Sequence, residues 1–333
     1  MQPDASPAAT PPRVSFVSPV RNDADRLRRC LATIAANRDP ADTIEVIVVD
    51  HRSTDGSAAV AGRAGARVVS CSASGVATLR NRGAFQATGS ILAFVDADHE
   101  LDPNWLATAA RIFQDPEIGA AGALYDAPPG GSWVQRTYAT LRGRTVGCRD
   151  VDWLGSGNLA MRRHLFEQLG GFDTTLTTCE DVDLCARLRR LGYRLVGDEG
   201  LRTVHLGDPA TLRALFFGEL WRGQDNLRVS VRGPLSIRGL PSVIVPIVDL
   251  ACLAAMVAGL VWATPLALAG AVAAVGVVAS LASLRATRMA FRAGLERRPW
   301  FGQAFAVALV YDVARALALV ARTPHRRRAA AGS

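Results

Sequence analysis

The chain has 333 residues and a formal net charge of +8, and all 38 of its basic residues are arginines. Because lysine is absent, Schiff-base catalysis, lysine-bound pyridoxal phosphate and a phosphate loop ending in Gly-Lys-Ser/Thr are excluded. Hydrophobic residues make up 49% of the sequence, which is high for a purely soluble protein. We therefore expect part of the chain to contact a membrane.

The charge is unevenly distributed along the chain. Residues 1–221 contain 24 arginines and 26 acidic residues, whereas residues 222–333 contain 14 arginines and 4 acidic residues. In the last third the arginines surround long apolar runs, which favours anionic lipid headgroups over nucleic acid as a partner. The six cysteines include no CxxC pair, so we predict neither a zinc site nor a disulfide framework.

Apolar, β-branched runs alternate with helical patterns over the first hundred residues. They predict strands at 14–18, 44–50, 67–70 and 91–95, and helices at about 23–37, 57–65 and 79–88. From about 120 to 207 the pattern is α+β, with a short strand at 159–161 and a helix from about 180 to 191. The alternation predicts an α/β fold with a mainly parallel, buried central sheet, whose ligands bind at the carboxyl ends of the strands.

Polar clusters follow three of these predicted strands, at 18–22, 50–56 and 96–99. Asp96 and Asp98 come directly after an apolar strand, where two carboxylates can hold Mg²⁺ or Mn²⁺ bridged to phosphate oxygens. A simple turn is the alternative, and the context favours metal binding. Asp50 has a similar position, but a lone aspartate there equally suits a side-chain cap on the following turn.

Two further candidates have strong structural interpretations. Glu180 and Asp181 begin a predicted helix, where Thr178 and Asp181 fit a capping box and acidic side chains complement the helix dipole. A carboxylate held there beside a metal-phosphate site could also accept a proton from an acceptor hydroxyl. His205 follows an apparent strand, and a lone histidine is more often a structural residue than a ligand.

Together these residues resemble the family 2 glycosyltransferases of the GT-A fold, over residues 14–221. The stretches that carry the resemblance are VSFVSPVRND, EVIVVDHRSTDGS, LRNRGAFQATGSILAFVDADHELDPNWL, GSGNLAMRRHLFEQLGGFD and EDVDLCARLRRLGYRL. The resemblance implies an α/β nucleotide-sugar-binding domain that transfers a sugar of the hexose type to an acceptor hydroxyl, with inversion and with Mg²⁺ or Mn²⁺.

The resemblance also implies roles for individual residues. Pro19 and Asp50 would line the nucleoside pocket and Arg80 would lie near the nucleotide. Asp96 and Asp98 would be the Asp-x-Asp pair, with Asp96 also contacting the donor. Asp181, next to Glu180, would be the catalytic base. His205 stands where many GT-A enzymes supply a further metal ligand.

The chain departs from the family pattern at three places. A second aspartate often follows the one at Asp50, and here it is His51; the position after Asp98 is often acidic, and here it is His99. Processive synthases carry Gln-x-x-Arg-Trp after this domain, whereas residues 220–224 read LWRGQ. We therefore predict transfer of a single sugar.

Apolar runs at 242–263 and 265–284 are each long enough to cross a bilayer, which takes about 20 residues. The arginines of 285–298 should keep that segment in the cytoplasm with the catalytic domain, which favours a hairpin. A third run at 301–321 contains Asp312 and Arg315 and would be interfacial or re-entrant, with Arg315 pairing with Asp249. Three plain spans are the alternative.

The sequence thus predicts a multi-pass protein of the cytoplasmic membrane. Its predicted segments are a disordered N-terminus at 1–12, which lacks a signal-peptide pattern, a catalytic domain at 13–221, a basic connector at 222–240, a transmembrane hairpin at 241–284, and a basic loop, third apolar helix and basic tail at 285–333. A lipid or lipid-linked acceptor is the leading hypothesis. The alternative is a membrane-attached nucleotide-binding pseudoenzyme or scaffold, and a transporter ranks last because it needs more spans.

Overall fold

We describe a computed structural model of the chain over residues 14–37, 44–73, 75–232, 239–293 and 299–321. The predicted disordered segment 1–12 and the basic tail after residue 321 lie outside these ranges, as do parts of the predicted connector and basic loop. The chain divides into two compact units. The sheet unit comprises residues 1–124, 145–173 and 184–204, and the helical unit comprises residues 125–144, 174–183 and 205–333.

The sheet unit is built on an eight-stranded sheet with the order β3-β2-β1-β4-β8-β6-β9-β7. Its strands are β1 (Val14–Val20), β2 (Ile44–Asp50), β3 (Arg67–Ser70), β4 (Ile91–Val95), β6 (Ile118–Gly122), β7 (Cys148–Asp150), β8 (Asn158–Arg162) and β9 (Arg194–Asp198). Strands β5 (His99–Leu101) and β10 (Thr203–His205) form a separate two-stranded sheet.

Helices connect these strands. They are α1 (Ala24–Ala36), α2 (Ser57–Arg63), α3 (Val76–Ala84), α4 (Trp105–Ile112), α6 (Arg163–Gln168) and the 3₁₀ turn Glu199–Leu201. Helix α7 (Glu180–Arg190) begins in the helical unit and ends in the sheet unit.

The α/β class with a mainly parallel sheet is confirmed, with one addition. Strands β3, β2, β1 and β4 run parallel, as do β6 and β9. Strand β8 is antiparallel to both β4 and β6, and β7 is antiparallel to β9. The sheet is therefore mixed, with β8 joining two parallel groups that a simple βαβ pattern does not link.

The third predicted helix is displaced. The sequence pattern predicted residues 79–88, but α3 covers Val76–Ala84. The backbone N–H groups of Gln86 and Ala87 bond to carbonyls only three residues earlier, so the chain leaves the helix in a tight turn. An apolar pattern that continues into such a turn is read as helix when only spacing is considered.

Both faces of the sheet are covered. Along β4, Ile91 and Val95 belong to one buried cluster, and Leu92 and Phe94 belong to another. Alternate residues of a strand point to opposite faces, so a strand buried on both faces is apolar throughout. This burial explains the uninterrupted run that predicted the strand.

Helix α3 lies very close to the sheet at Gly83. A Cβ atom there would lie 2.4 Å from Val17 Cγ1 and 2.8 Å from Val49 Cγ2. We expect Gly83→Ala to lower the free energy of unfolding by about 1–3 kcal/mol, because the added methyl overpacks a closed interface. Thermal melting of the purified protein measures this. Gly62→Ala is the control, since no atom lies within 4 Å of its added methyl, and equal melting of both variants would contradict the prediction.

Six further helices lie in the described part of the helical unit. They are α5 (Trp133–Arg142), α8 (Leu212–Arg222), α9 (Asn226–Ser230), α10 (Leu240–Trp262), α11 (Pro265–Arg292) and α12 (Phe301–Leu317). A buried cluster joins α5, α8, α11 and α12 through Val134, Leu215, Ala286 and Val307. The 17-residue helix α12 therefore packs against α5 and α8 as well as against α11.

Two described helices, α10 and α11, are long and apolar enough to cross a membrane by length and composition, with mean hydropathies of 2.4 and 2.1. Only Ala263 and Thr264 separate them, so they form a tight hairpin. A Cβ atom at Gly259 would lie 2.5 Å from Ala271 Cβ. Small residues thus let the two helix backbones approach closely, as is common between membrane helices.

The expected pairing of Asp249 with Arg315 is wrong. Arg315 Nε lies 3.1 Å from Glu219 Oε2 of α8, and Asp312 pairs with Arg285 of α11 at 2.7 Å. Asp249 is fully buried, and neither of its carboxylate oxygens has a hydrogen-bond partner within the described residues. Opposite charge and helical spacing alone could not show which neighbouring helix each side chain of α12 faces.

Candidate active site

The candidate site lies at the sheet edge where strands β1, β2 and β4 end. These strands are parallel and adjacent, so their carboxyl ends lie along one edge. Pro19 and Ser18 are buried near the end of β1. Ser18 Oγ has no hydrogen-bond partner within the described residues. Ser18 was not singled out from the sequence, because a serine at a strand end is common and only its burial makes it notable.

Asp50 ends β2 and is 7% exposed. Its Oδ2 accepts a hydrogen bond from the Ser53 backbone N–H at 3.2 Å, whereas no described group donates to its buried Oδ1. A buried acceptor without a donor costs about 1–3 kcal/mol. A ligand that donates a hydrogen bond to Asp50 Oδ1 would remove this cost.

His51 stands where the family often has an acidic residue. Burial and the nearby charges of Arg21 and Arg52 lower the pKa of its imidazole. The side chain is therefore neutral at pH 7 and adds no positive charge beside Asp50.

The loops after β1 and β2 are tied together in a strained conformation. Asn22 and Arg52 both have left-handed backbone angles, with φ of 51° and 52°. Asn22 Oδ1 accepts a hydrogen bond from the Thr54 N–H at 2.7 Å, and Ser53 Oγ accepts one from the Asn22 N–H at 3.0 Å. Such backbone strain outside glycine occurs most often at ligand-binding sites.

Asp96 and Arg80 form an ion pair after β4. Arg80 Nη2 donates to Asp96 Oδ1 at 2.6 Å, and the Arg80 guanidinium, 5.9 Å from the centre of the Phe172 ring, is almost fully buried. The family resemblance implied that both residues lie in the donor pocket, but the sequence did not predict their contact. With Arg80 on Asp96, the negative charge of the first Asp-x-Asp carboxylate is already balanced.

The backbone at Gly157 lies close to the same carboxylate. A Cβ atom at this position would lie 2.9 Å from Asp96 Oδ2 and 3.1 Å from His99 Nε2. The backbone N–H of Asp96 also donates to the Gly157 carbonyl at 3.2 Å. Only a residue without a side chain leaves this space open beside the Asp-x-Asp segment.

Asp98 and His99 are the metal-ligand candidates of the sheet unit. Each offers one ligand atom, and these two atoms lie within 4.8 Å of each other. The buried His99 ring is oriented by a 2.9 Å contact between its Nδ1 and Thr203 Oγ1. Carboxylate oxygen suits Mg²⁺ and Mn²⁺, and a neutral imidazole nitrogen is a common metal ligand. His99 was noted from the sequence only as a departure from the family pattern, and its place directly after Asp98 was the available signal.

Glu180 and Asp181 belong to the helical unit, at the start of α7. The loop before them is fixed by Asp225, whose Oδ2 accepts from the backbone N–H groups of Thr177 and Thr178 at 2.7 and 3.2 Å. Cys179, between that loop and the helix, has a left-handed φ of 62°. The Asp225 carboxylate thus holds the loop that leads into α7.

The side chains around the start of α7 differ in protonation and in hydrogen bonding. Burial and the nearby Asp181 charge raise the pKa of the Cys179 thiol to about 12, so this thiol is not a nucleophile at pH 7. Asp181 Oδ1 accepts from the Val182 N–H at 2.8 Å. Thr178 Oγ1, which the capping-box pattern would use as the cap, accepts a hydrogen bond from the Asp225 N–H.

His205, also in the helical unit, is the last residue of β10. Its Nδ1 lies 2.6 Å from Oδ1 of the fully buried Asp208, and Arg142 binds the same carboxylate through both terminal nitrogens. Burial alone would favour the neutral acid, but hydrogen bonds from Arg142 and His205 outweigh it and lower the pKa of Asp208. A carboxylate on one ring nitrogen is the usual partner of a metal-binding histidine.

Residues 15–172 match the model of glycosyl transferase family 2. This part of the chain therefore carries a domain of the family 2 type. The chain is 27% identical to the glycosyltransferase AglE of Haloferax volcanii over 65% of this chain and 72% of that protein. It is also 32% identical to the pre-mycofactocin glycosyltransferase of Mycobacterium tuberculosis, over 55% of this chain and 40% of that one.

A solved structure supports the fold along most of the chain. A mannosyltransferase from Pyrobaculum calidifontis, in complex with GDP-Man and Mn²⁺, matches with a TM-score of 0.56 and 25% identity, over 90% of this chain and 86% of that one. The predicted family and GT-A fold are therefore confirmed, and the chain is a glycosyltransferase. The roles of individual site residues remain predictions.

The buried pair of Arg142 and Asp208 gives a stability prediction. We expect Asp208→Ala to lower the free energy of unfolding by about 3–5 kcal/mol, because it leaves the Arg142 charge buried and unpaired. Asp25→Ala is the control, since Asp25 pairs with Arg28 on the surface, where such a pair contributes only about 0–1 kcal/mol. Thermal melting compares the two, and an equally small effect of both would refute the prediction.

Proposed function

We propose that this glycosyltransferase transfers one sugar of the hexose type from a nucleoside diphosphate sugar to an acceptor hydroxyl, with inversion and a divalent cation. The observation that carries the donor part is the buried Asp50 Oδ1, to which no described group donates a hydrogen bond, at the edge where β1, β2 and β4 end. Ribose hydroxyls and base N–H groups are hydrogen-bond donors that such an oxygen can accept. Pro19 would contact the nucleoside from the neighbouring strand.

Arg80 and Asp96 would serve the diphosphate side of the donor. Arg80 is held in place by Asp96 at 2.6 Å, so little side-chain entropy is lost when a phosphate is bound. An arginine positioned in this way can stabilise charge that develops on a departing diphosphate. GDP-mannose is the first donor to test, because the mannosyltransferase with the similar fold was solved with it.

Asp98 would be the principal ligand of the divalent cation, with Asp96 and His205 as the further predicted ligands. Bound Mg²⁺ or Mn²⁺ would neutralise negative charge on the leaving diphosphate. The pairs that orient His99 and His205 fit imidazole ligation. The relative that binds Mn²⁺ supports a cation of this class.

Asp181 would take the proton from the acceptor hydroxyl, with Glu180 beside it as a supporting carboxylate. General-base assistance of this kind contributes about 10²- to 10⁴-fold in rate. Inversion follows from attack by that hydroxyl on the face opposite the leaving group. The competing function, a nucleotide-binding scaffold without transfer, would need neither the base nor the cation.

The proposed enzyme is attached to a membrane. The hairpin of α10 and α11 would anchor the protein in a cytoplasmic membrane, with the sheet unit in the cytoplasm. Helix α12 is shorter than the usual span and packs against α5 and α8. An interfacial α12 and a lipid-linked acceptor are therefore part of the proposal.

Removal of the cation ligand should abolish donor turnover. We expect the wild-type protein to release nucleoside diphosphate from a panel of GDP-, UDP- and dTDP-sugars only with Mn²⁺ or Mg²⁺. Asp98→Ala should lose both Mn²⁺ affinity and donor affinity, because the diphosphate charge is no longer compensated. Calorimetry with Mn²⁺ measures the first loss, with the surface variant Asp152→Ala as control. Unchanged Mn²⁺ affinity in Asp98→Ala would remove Asp98 from the site.

Replacement of the proposed base should separate binding from transfer. We expect Asp181→Asn to bind donor normally but to transfer about 10²- to 10⁴-fold more slowly, because an amide cannot accept the proton. Asp183→Asn, which removes another acid from the same helical turn, controls for the helix dipole, and melting points of both variants control for folding. Near wild-type turnover of Asp181→Asn would leave that residue with a capping role only.

The hairpin model predicts the location of the C-terminus. Two crossings return the chain to the cytoplasm, so a C-terminal reporter that is active only in the periplasm should give no signal. A reporter fused after Ala263, in the turn between α10 and α11, is the positive control. Strong periplasmic activity of the C-terminal fusion would show a third crossing.

A further inference from the structure

A pocket of about 120 Å³ lies inside the helical unit, between α5, α10 and α11. Its wall contains Pro241 and Val245 at the start of α10, Leu281, and three arginines of α11. Apolar side chains and guanidinium groups both line it, so the pocket is amphipathic. None of its residues was singled out as a binding site from the sequence.

The arginines are Arg285, Arg288 and Arg292. Their spacing of three and seven residues places them on one face of α11. Arg285 is balanced by Asp312, at 2.7 Å. Within the described part of the chain, no carboxylate pairs with Arg288 or Arg292, and both are exposed. Among the described residues, the pocket thus has two positive charges without an ion-pair partner.

Hairpin geometry places the pocket at the level of lipid headgroups. Pro241 precedes the end of α10 by 21 residues, and Arg285 follows the start of α11 by 20 residues. At 1.5 Å per residue both lie roughly 30 Å from the turn that joins the helices. The hydrocarbon core of a bilayer is about 30 Å thick. If the turn lies at one membrane face, the pocket therefore lies at the other.

The surroundings of the pocket suit an acyl or isoprenoid chain. Ile244 and Ile247 of α10 and Leu284 and Phe291 of α11 are large apolar side chains that are 50%, 46%, 49% and 80% exposed. Leu284 lines the pocket, and the other three neighbour its lining residues along the same two helices. A ligand that enters between them can keep its hydrocarbon in the membrane while its charged end reaches the arginines.

We propose that this pocket binds the phosphate end of the lipid-linked acceptor. The match in charge favours a phosphate monoester or a diphosphate linker over an ordinary phosphodiester headgroup. A phosphate monoester carries about −1.5 to −2 at pH 7, close to the two free arginine charges, and arginine binds phosphate oxygens with two parallel hydrogen bonds. Free phosphate would make no use of the apolar wall. That the bound lipid is the acceptor rests on the proposed transferase function, whereas lipid binding itself rests on the pocket alone.

The test measures lipid preference with the full chain in phosphatidylcholine nanodiscs. The probes are dioleoyl phosphatidic acid, dioleoyl phosphatidylglycerol and inorganic phosphate, and native mass spectrometry counts bound molecules. We expect wild-type protein to prefer phosphatidic acid over phosphatidylglycerol. Arg288→Gln/Arg292→Gln should bind phosphatidic acid at least about tenfold more weakly, since two charge-assisted contacts are lost. Arg288→Lys/Arg292→Lys should retain part of the preference.

A control variant separates the pocket from general surface charge. Arg136→Gln/Arg213→Gln removes two exposed arginines of α5 and α8 outside the pocket and should bind phosphatidic acid as wild type does. Equal affinity of wild-type protein for the two lipids, an equal loss in the control variant, or equally tight binding of inorganic phosphate would each overturn the proposal. Unchanged melting points show that the variants are folded.

Hydrolysis of the nucleotide-sugar by water, measured on the same samples, distinguishes the two proposals. This reaction needs the donor site but no acceptor, so the glutamine variant of the pocket should retain it while losing transfer to lipid. Absence of hydrolysis in wild-type protein would count against the transferase function and leave the lipid preference standing. Hydrolysis without any lipid preference would reject the pocket as the acceptor site.

Discussion

Ion pairs between carboxylates and arginines organise both units of this protein. Arg80 holds Asp96 in the sheet unit, while Arg142 holds Asp208 in the helical unit. Glu219 of α8 shows the balance most clearly: burial opposes its ionisation, but the charges of Arg315 and Arg222 outweigh it and lower its pKa. With no lysine in the chain, every such partner is a guanidinium, which stays charged and binds in a fixed plane.

These pairs matter because an unpaired buried charge is costly, whereas a paired one specifies geometry. Arg80 holds Asp96 at the strand end through a 2.6 Å contact between Nη2 and Oδ1. His205 is oriented by the same carboxylate that neutralises Arg142. The side chains proposed to act on the donor are therefore positioned by contacts that also stabilise the fold, and substitutions there should be assessed for stability and activity together.

The helical unit combines two roles in one set of helices. Helices α10 and α11 have exposed apolar surfaces that a membrane would cover, while α5, α8 and α12 pack against the last turns of α11 through small residues such as Ala282 and Ala304. The segment 174–183, which carries the proposed base, is part of this same unit and is held by Asp225. The proposed membrane anchor and the loop of the proposed base thus belong to the same compact unit.

The sequence by itself determined the α/β class, the strand ends that carry Asp50, Asp96 and Asp98, and the apolar runs of the hairpin. Each of these depends on residues close together in the chain, whose spacing records burial directly. It takes the tertiary structure to show that β8 runs antiparallel between two parallel groups, that Arg80 binds Asp96, that Arg142 binds Asp208, and that Arg315 pairs with Glu219 rather than Asp249. Those partners lie on different elements, and a periodic pattern shows which face of an element is buried but not which neighbour that face meets.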